Sequence, residues 1–281
     1  MIDFCFAFEH KGRLRESDYL YQNLFIFRHM ENAHLPKLSI ITVCYQAGKS
    51  IERTIQSVIT QTYPHIEYII VDGGSTDETI SIIHKYADRI SRWISETDKG
   101  LYDAMNKGLR LATGDYVMFL NADDYLYANN TIEQVFTFCS QADAYYGETM
   151  FVDVMGNPVG LRSAVTPHRL PEKLNWKSLK YGMTVSHQSF IVRRELAPYF
   201  DIRYHVCADI DWMIVCLKRC QTVCHTRIVI SCFRTGGLSK QRQRKAWKER
   251  YLILQKHYGV LPNFFHHLLI VLRYLFSGRR Y

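Results

Sequence analysis

Strand-length apolar runs alternate with helical segments over residues 38–120, and this alternation restricts the fold more than any other feature of the chain. LSIITV (38–43) is followed by SIERTIQSVITQ (50–61), in which isoleucine and valine recur on one helical face. The pattern continues with IEYIIVD (66–72), a helix to about residue 87, ISRWISE (90–96), GLYDAMNKGLRLA (100–112) and YVMFL (116–120). Strands connected through helices run parallel and are covered on both faces. The sequence therefore predicts an α/β fold with a mostly parallel, Rossmann-like central sheet flanked by helices.

Polar side chains close each of the four predicted strands at its carboxyl end. They are Thr42 and Tyr45 for the first strand, Asp72 for the second, Glu96 and Asp98 for the third, and Asn121, Asp123 and Asp124 for the fourth. Ligands of parallel α/β sheets bind beyond the carboxyl ends of the strands. Helix capping and solvated turns explain Asp77 and Asp115, but not polar residues after four consecutive strands. We expect a ligand site at this edge of the sheet.

Two short motifs lie where helices are expected to begin. Ser75 and Glu78 have the spacing of a capping box, which predicts the start of the second helix. AGKS (47–50) has the ending of a phosphate-binding P-loop, yet Val43 stands where that motif requires glycine. The valine side chain makes the loop too bulky to wrap phosphates, and the chain contains no GxGxxG sequence. We therefore expect neither a P-loop NTPase nor a dinucleotide-binding protein.

Asp123 and Asp124 are adjacent acids at the end of an apolar strand. Adjacent carboxylates repel one another, and burying one without a partner is costly, so the pair favours a bound cation. Mg²⁺ and Mn²⁺ prefer oxygen ligands and commonly join one or two carboxylates to the phosphates of a substrate. An ion held in this way offsets charge on a departing diphosphate. We expect Mg²⁺ or Mn²⁺ as the cofactor and a nucleotide-diphosphate donor as the substrate.

The formal net charge of +8 favours an anionic partner, such as nucleic acid, a phosphorylated substrate or an acidic membrane surface. No recognisable RNA- or DNA-binding module accompanies the charge, so nucleic acid is not expected. The eight cysteines include no CxxC pair and the first thirty residues lack a signal-peptide pattern, which predicts a cytoplasmic protein with reduced thiols. Cys216, Cys220 and Cys224 recur every four residues, which predicts one buried face of a helix rather than a metal site.

From Lys240 the chain becomes basic and then apolar. The apolar part, about residues 264–276, is interrupted by His266, His267 and Arg273. It is shorter than the roughly 20 apolar residues that a membrane-spanning helix requires. The composition predicts an amphipathic helix lying on an anionic membrane surface. Packing of this helix against the rest of the chain, or dimerisation through it, is the alternative.

Several ordered motifs are similar to those of one known family. They are LSIITVCYQ, VDGGSTDET, SETDKGLYDAMNKGL, GDYVMFLNADD, HQSFIVRREL and CADIDW. From about Leu38 to about Ser239 the chain resembles the family 2 glycosyltransferases of GT-A fold, particularly the bacterial enzymes that build surface polysaccharides such as colanic acid. The resemblance implies a GT-A domain over residues 37–240, with a nucleotide-sugar-binding half (37–127) and an acceptor-binding half (128–240). An N-terminal extension (1–36) and a basic amphipathic helical tail (241–281) flank this domain.

The resemblance also implies roles for individual residues in a nucleotide-sugar site. Thr42 and Tyr45 would lie near the base, and Asp72 would hydrogen-bond the base or the ribose. The residues expected to border the rest of the nucleotide-sugar are Asp98, Asp103, Asn106, Lys107, Asn121 and Ala122.

The sequence NADD (121–124) departs from the DxD motif of the family, because residue 121 is asparagine. If Asn121 takes the first position of the motif, Asp123 is the direct metal ligand and Asp124 supports it. The reverse assignment of the two acids is the alternative.

Inverting sugar transfer needs a carboxylate that removes the proton of the acceptor hydroxyl. By resemblance this base is Asp209, with Asp211 as a weaker candidate two residues later. Ala208 replaces an acid that the family commonly carries before the base. The alternative for Asp209 is an acid that stabilises a helix N-terminus.

Two further segments have roles implied by the resemblance. His187 and Gln188 would contact the acceptor or the diphosphate, and a structural role is the alternative for His187. FRTGGLS (233–239) resembles a loop that closes over the donor, and its glycines permit such motion.

Together these features predict an inverting, cytoplasmic glycosyltransferase that is peripherally bound to the membrane. Its expected substrates are a nucleotide-diphosphate sugar and a lipid-linked glycan acceptor. One alternative is a non-catalytic nucleotide-sugar-binding or glycan-binding module with a degenerate metal motif. Another is a transferase whose acceptor is a protein or a soluble glycan.

Overall fold

The computed structural model describes residues 35–139, 141–236 and 242–276. The predicted N-terminal extension therefore lies almost entirely outside the described residues. The last three residues of the FRTGGLS segment lie outside them as well.

Strands and helices alternate along the first half of the described chain, as the sequence predicts. The strands are β1 (Leu38–Cys44), β2 (Ile66–Asp72), β3 (Arg92–Ser95), β4 (Tyr116–Phe119), β5 (Tyr125–Leu126), β6 (Ala144–Val152), β7 (Pro158–Leu161), β8 (Phe190–Arg193) and β9 (Val223–Arg234). The helices are α1 (Ile51–Ile59), α2 (Thr79–Lys85), α3 (Leu101–Leu111), α4 (Thr131–Phe138), α5 (Arg162–Val165), α6 (Ala208–Arg219), α7 (Gln243–Tyr258) and α8 (Val260–Phe276).

All of these strands belong to one sheet with the order β3-β2-β1-β4-β8-β6-β9-β5, and β7 pairs with β6. The first four strands are parallel, which confirms the prediction for residues 38–120. β8 then runs antiparallel to β4, and β6 runs antiparallel to β8 but parallel to β9. The second half of the sheet is therefore mixed, a feature that the alternation in the first half did not indicate.

The centre of the sheet is buried on both sides. All seven residues of β1 are buried, which explains why its sequence is an unbroken apolar run rather than an alternating one. α3 packs on β1 so closely that a Cβ at Gly108 would lie 2.3 Å from Ile41 Cγ2. Further along, the rings of Trp212 in α6 and Phe200 stack with centroids 5.0 Å apart, and Trp212 meets Phe119 of β4 at 5.4 Å. These aromatic contacts fix α6 beside β4.

The predicted C-terminal tail forms two helices that are separated by Gly259, whose φ of 87° favours glycine. α7 contacts α6 and buries Ala246, Glu249, Ile253 and Leu254. The apolar part of the tail, for which the sequence left packing against the chain open as an alternative, lies in α8, and α8 contacts α7. Within the described part of the chain, no helix is both long enough and apolar enough to cross a membrane.

The predicted capping box before α2 is wrong. The Ser75 hydroxyl donates to Asp72 Oδ1 (2.5 Å) instead of a helix terminus. Asp77 accepts the backbone N–H of Thr79 (3.0 Å), and the helix starts there. The Ser75 side chain is drawn away because the buried Asp72 carboxylate is the stronger acceptor.

The prediction that three cysteines share one helical face is wrong for Cys224. α6 ends at Arg219, and Cys224 lies on β9 in a disulfide with Cys139. The sequence predicts reduced thiols for all cysteines, whereas in the structure Cys139 and Cys224 form a disulfide. Cys216 is buried in α6, as expected.

Glu67 connects three segments at the amino-terminal edge of the sheet. Its carboxylate accepts hydrogen bonds from Ser39 Oγ of β1 (2.6 Å), from Thr113 N and Oγ1 before β4 (2.7 and 2.6 Å), and from Lys37 Nζ (3.1 Å). Burial raises the pKa of Glu67, but the hydrogen bonds from Ser39, Thr113 and Lys37 outweigh burial and lower the pKa to about 2. The ionised carboxylate therefore stabilises the fold.

We predict that Glu67→Gln lowers the free energy of unfolding by about 1–3 kcal/mol at pH 7, since buried donors lose a charged acceptor. The pKa of Glu67 is lower in the native state than the ordinary 4.5, so this stabilisation is complete above about pH 5 and is lost as the pH falls towards 2. Urea unfolding at pH 7 and pH 3 measures the difference, with the exposed Glu195→Gln as the control. If the free energy of unfolding of Glu67→Gln differed from that of the wild type by the same amount at pH 7 and pH 3, the stabilising role of the ionised Glu67 carboxylate would be contradicted.

Candidate active site

The two residues of the first strand that were expected near a base differ in exposure. Thr42 has no exposed surface, and its hydroxyl accepts a hydrogen bond from Tyr68 OH (3.2 Å). Tyr45, just past the strand, is 65% exposed. Of the two, Tyr45 is the residue placed to contact a ligand.

Asp72 is buried and holds the turn after β2. Its carboxylate accepts hydrogen bonds from the backbone N–H groups of Gly74 (3.0 Å) and Ser75 (2.8 Å) and from the hydroxyls of Ser75 (2.5 Å) and Ser95 (2.7 Å). Burial raises the pKa of Asp72, but the hydrogen bonds from Ser75 and Ser95 outweigh burial, so its pKa lies below the usual value. Hydrogen-bond donors of the protein thus surround the Asp72 carboxylate, which was expected to hydrogen-bond the base or the ribose of the nucleotide.

Tyr45 and Asp98 approach each other across Gly73. A Cβ at Gly73 would lie 2.6 Å from Asp98 Oδ2 and 3.4 Å from Tyr45 Cδ2, so a larger residue would displace Asp98. Asp98 also accepts the backbone N–H of Gly100 (2.8 Å). The structure therefore brings two of the predicted nucleotide-sugar residues together at the carboxyl edge of the sheet.

The three predicted residues of α3 point in different directions. Asp103 accepts the backbone N–H of Lys99 (3.0 Å), and Lys107 Nζ donates to the carbonyl oxygen of Thr97 (2.9 Å), so both hold the loop before α3. Asn106 is buried and forms two hydrogen bonds with the backbone of Phe200 (2.9 and 2.7 Å). Asn106 thus anchors the segment before α6 instead of bordering the loop.

Of the two adjacent acids, Asp124 is the buried one. Only 1% of its surface is exposed, and its carboxylate accepts hydrogen bonds from Gln188 Nε2 (2.6 Å) and the backbone N–H of Arg234 (3.0 Å). Burial raises the pKa of Asp124 well above its usual value, and the neighbouring Asp123 carboxylate raises it further. Gln188, expected at the acceptor or the diphosphate, is buried and holds Asp124 in place.

Asp123 is half-buried, and Ala122 beside it is buried. Burial raises the pKa of Asp123, while the positive charge of Arg234 opposes the rise. Asn121 Oδ1 is buried and has no hydrogen-bond partner within the described residues. Such an orphaned acceptor is costly unless a ligand satisfies it.

The donor atoms at this edge suit a hard divalent ion. No group of three or more His, Cys, Asp or Glu side chains in the described ranges can hold a metal alone. Mg²⁺ and Mn²⁺ do not require such a group, because they commonly use one or two protein oxygens together with substrate phosphates. The Asp123 carboxylate and the unsatisfied Asn121 Oδ1 are oxygens of this kind.

A hydrogen-bonded chain connects the metal motif to Asp209. His187 Nδ1 lies 3.2 Å from Asp209 Oδ2, and His187 Nε2 lies 3.4 Å from Asn121 Nδ2. An amide nitrogen can only donate, so this contact makes Nε2 the acceptor and leaves Nδ1 to donate towards Asp209. Tyr102 OH lies 3.3 Å from the other carboxylate oxygen. His187 therefore lies between the predicted base and the predicted metal motif.

Asp209 lies in the first turn of α6 and keeps a partly exposed side chain, with 19% of its surface accessible. Asp211, the weaker candidate for the base, is buried and bound by Lys256 Nζ (2.9 Å) and His257 Nε2 (2.6 Å). Burial raises the pKa of Asp211, but the bonds from His257 and Lys256 outweigh it and lower the pKa below its usual value. Asp211 is thus an anchor between α6 and α7, and Asp209 is the acid that a substrate can reach.

Glu249 of α7 holds the start of α6, a role that the sequence reading missed. Its carboxylate accepts the backbone N–H groups of His205 (3.0 Å), Val206 (2.8 Å) and Cys207 (3.1 Å). Cys207 is the N-cap of α6 and carries one of the unpaired donors of the helix N-terminus, while His205 and Val206 lie just before it. Such donors usually bind a side chain close in sequence. Glu249 follows more than forty residues later within a basic segment, so no local pattern reveals its partner.

The family model described as glycosyl transferase family 2 matches residues 39–198. A PGL/p-HBAD biosynthesis glycosyltransferase of Mycobacterium bovis is 33% identical over 224 residues, which cover 76% of this chain and 84% of that protein. An uncharacterized glycosyltransferase of Haemophilus influenzae is 28% identical over 87% of this chain and 97% of its own length.

Solved structures with a similar fold include S. aureus TarS 1–349 in complex with UDP-GlcNAc. It has a TM-score of 0.65 and 17% identity, covering 87% of this chain and 74% of that chain. The mannosyltransferase PcManGT from Pyrobaculum calidifontis, in complex with GDP-Man and Mn²⁺, has a TM-score of 0.58 and 17% identity over 94% and 79% of the two chains. These likenesses confirm the predicted GT-A fold.

We predict that Glu249→Gln lowers the free energy of unfolding by about 1–3 kcal/mol, because the backbone N–H groups of His205, Val206 and Cys207 lose a charged acceptor. Chemical denaturation of the full chain measures the change. Lys248→Gln, at the exposed neighbouring position, is the matched control and should stay within about 0.5 kcal/mol of the wild type. A Glu249→Gln protein as stable as the control would show that the α6 N-terminus does not depend on this carboxylate.

Proposed function

The chain belongs to glycosyl transferase family 2, and from that premise we propose that it moves a sugar from a nucleotide-diphosphate donor to an acceptor hydroxyl with inversion. The observation that carries this proposal is the chain of contacts from Asn121 through His187 to Asp209. In this proposal the general base, Asp209, and the metal-binding motif at Asn121 lie on either side of His187. Inverting transfer needs these two functions separated by the reacting carbon.

The donor lies along the carboxyl edge of the parallel strands in this proposal. The exposed ring of Tyr45 and the adjoining Asp98 offer a surface for the nucleoside, and the loop before α3 borders it. TarS 1–349 and PcManGT, which share the fold, were solved in complex with UDP-GlcNAc and GDP-Man, and this supports a nucleotide-sugar as the donor class. Thr42, Asp72 and Asn106 contribute by shaping the site from within.

Asp123, with Asn121 Oδ1, would hold Mg²⁺ or Mn²⁺ at this edge. When bound, the ion offsets the negative charge that builds on the leaving diphosphate. Asp124 supports Asp123 from the interior, since its two hydrogen bonds fix the turn that presents the neighbouring carboxylate. Arg234 adds positive charge close to Asp123.

Asp209 removes the proton of the acceptor hydroxyl while the hydroxyl oxygen attacks the anomeric carbon of the donor sugar. The new bond to the acceptor oxygen forms while the bond to the diphosphate oxygen breaks, and the proton passes to the Asp209 carboxylate. His187 orients this carboxylate by donating from Nδ1. Tyr102 OH donates to the carbonyl oxygen of Val206 (2.9 Å) and lies 3.3 Å from the other carboxylate oxygen, which limits the positions that this oxygen can take.

We assign the acceptor to a lipid-linked glycan of bacterial surface polysaccharide biosynthesis, and the enzyme to the cytoplasmic face of the membrane. α8 supports this assignment because it exposes an apolar stripe, formed by Val260, Leu261, Phe264, Phe265, Leu268, Leu269 and Leu272. α7 exposes basic residues at its start, among them Arg244, Lys245 and Lys248. An apolar face beside basic residues is the pattern of helices that lie on anionic membranes.

Measuring donor binding and sugar transfer for both Asp123→Asn and Asp209→Asn distinguishes the proposed metal ligand from the proposed base. Thermal shift with UDP, GDP and dTDP, each with and without Mn²⁺, reports donor binding, because a ligand of the native state raises its melting temperature. We expect Asp123→Asn to lose the Mn²⁺-dependent shift. Asp209→Asn should keep the shift but lose transfer by roughly 100-fold or more, the usual contribution of a general base.

The exposed Asp88→Asn serves as the control and should match the wild type in both assays. A wild type that shows the nucleotide shift but never transfers or hydrolyses a donor sugar would contradict the enzymatic proposal. It would favour the non-catalytic binding module instead.

A further inference from the structure

The loops that follow β1, β2 and β3 meet around one carboxylate, that of Asp98. Its Oδ1 accepts the backbone N–H of Gly100 (2.8 Å), whereas Oδ2 has no hydrogen-bond donor within the described residues. We propose that Asp98 Oδ2 recognises the base of the nucleotide by accepting a ring N–H, and so selects uracil, thymine or guanine over cytosine and adenine. This inference rests on the proposed function and deepens it by naming the residue that selects the nucleotide.

Gly73 leaves the space that this carboxylate occupies. It follows β2 directly, and a Cβ at this position would lie 2.6 Å from Asp98 Oδ2, too close for a real Cβ. The backbone of Gly73 is not in the left-handed region, so the conformation alone does not require glycine. The missing side chain therefore lets an acid from the loop after β3 reach over the end of β2.

Asp72, the acid expected to hydrogen-bond the base or the ribose, is already engaged by the protein. Its Oδ2 accepts hydrogen bonds from the backbone of Gly74 and Ser75 and from the Ser95 hydroxyl, and its Oδ1 accepts one from the Ser75 hydroxyl. Asp72 has no exposed surface. A base at this edge would therefore meet Asp98, which is partly exposed, before Asp72.

Tyr45 supplies a flat aromatic face beside the Asp98 carboxylate. Its side chain is 65% exposed, and its Cδ2 atom would lie 3.4 Å from the same Cβ at Gly73. Stacking on an aromatic ring stabilises every base, because each base has a π-face. Tyr45 can therefore hold a base without distinguishing one from another, which leaves the selection to Asp98.

The charge at this end of the sheet edge favours the base of a nucleotide over its diphosphate. Burial raises the pKa of the Cys44 thiol, and the carboxylates of Asp72, Asp77 and Asp98 raise it further, so their negative potential reaches the end of β1. A diphosphate is repelled by such a potential. The proposed ion site at Asp123 follows β4, which lies on the other side of β1 from β2 and β3. A nucleotide with its diphosphate at β4 therefore extends its base towards Asp98.

The pairing edge of a base decides whether a carboxylate oxygen strengthens or weakens binding. Uracil and thymine carry N3–H and guanine carries N1–H, and each of these groups can donate to Asp98 Oδ2. Cytosine N3 and adenine N1 carry a lone pair instead, which the carboxylate oxygen repels. A hydrogen bond to an ionised acceptor is stronger than one between neutral groups, and a site built to accept an N–H rejects a ligand that lacks it.

Calorimetric titration of wild type and Asp98→Asn with UDP, dTDP, GDP, CDP and ADP, all in the presence of Mn²⁺, tests this selection. The wild type should bind at least one of UDP, dTDP and GDP roughly tenfold or more tightly than CDP and ADP, because one hydrogen bond to a charged group distinguishes them. Asp98→Asn should lose most of this preference, since its amide can turn an N–H towards a ring lone pair. The exposed Asp88→Asn, matched in charge, should keep the preference.

Gly73→Ala tests the position of the carboxylate without changing the charge of the protein. The added Cβ would displace Asp98 Oδ2, so the preference among bases should fall as it does in Asp98→Asn. The melting temperature should stay close to that of the wild type, because the displaced side chain is partly exposed and alanine can adopt the backbone conformation of residue 73.

Inorganic diphosphate with Mn²⁺ is the probe that lacks a base. Its binding should be equal in the wild type, Asp98→Asn and Gly73→Ala, because the proposed ion site lies at Asp123. A wild type that binds neither diphosphate nor any nucleotide would contradict the proposed function, and this inference with it.

Three results would overturn the role of Asp98 alone, with the proposed function intact. The first is a wild type that binds all five nucleotides equally. The second is a wild-type preference among bases that persists in Asp98→Asn and Gly73→Ala. The third is a loss of affinity in Asp98→Asn by the same factor for all five nucleotides, which would indicate that Asp98 only supports the loop.

Discussion

The antiparallel pairing of β8 with β4 is the interaction on which the candidate site depends. Met118 pairs with Ile191 in this ladder, and continuing the register by three positions brings Asn121 opposite Gln188. The end of β4 and the residues just before β8 are therefore adjacent. His187 can then bridge Asn121 and Asp209, while Gln188 reaches Asp124. One strand pairing thus joins the half of the chain that carries the proposed metal motif to the half that carries the proposed base.

Asp123 and Asp124 are adjacent in sequence but differ in their surroundings, so each can have a different role. Asp124 is held by donors from the residues before β8 and from the end of β9, and its backbone carbonyl accepts a hydrogen bond from Thr54 (2.7 Å). It therefore fixes the turn after β4. Asp123 retains partial exposure and is the acid that a substrate-bound ion can approach. The repulsion between adjacent carboxylates is tolerated because one is internal and hydrogen-bonded and the other faces the edge of the sheet.

The sequence was most informative where burial is complete. β1, β2 and β4 were predicted nearly to their ends, because strands buried on both faces leave continuous apolar runs. β3 is partly exposed at the edge of the sheet and is shorter than the predicted 90–96. The convergence of polar residues at one edge followed from the parallel topology alone. The positions of Thr42 and Asn106 inside the protein, and of Glu249 at the start of α6, were not predictable, since each depends on a partner distant in sequence. The Cys139–Cys224 disulfide joins residues 85 apart and leaves no local signal either.

Anomalous diffraction from crystals grown with Mn²⁺ and the nucleotide that stabilises the protein identifies the direct metal ligand. We expect a manganese peak at coordination distance from the Asp123 carboxylate, with Asp124 still bound to Gln188. A peak on Asp124 with Gln188 displaced would contradict it. So would a bound nucleotide diphosphate with no manganese beside Asp123.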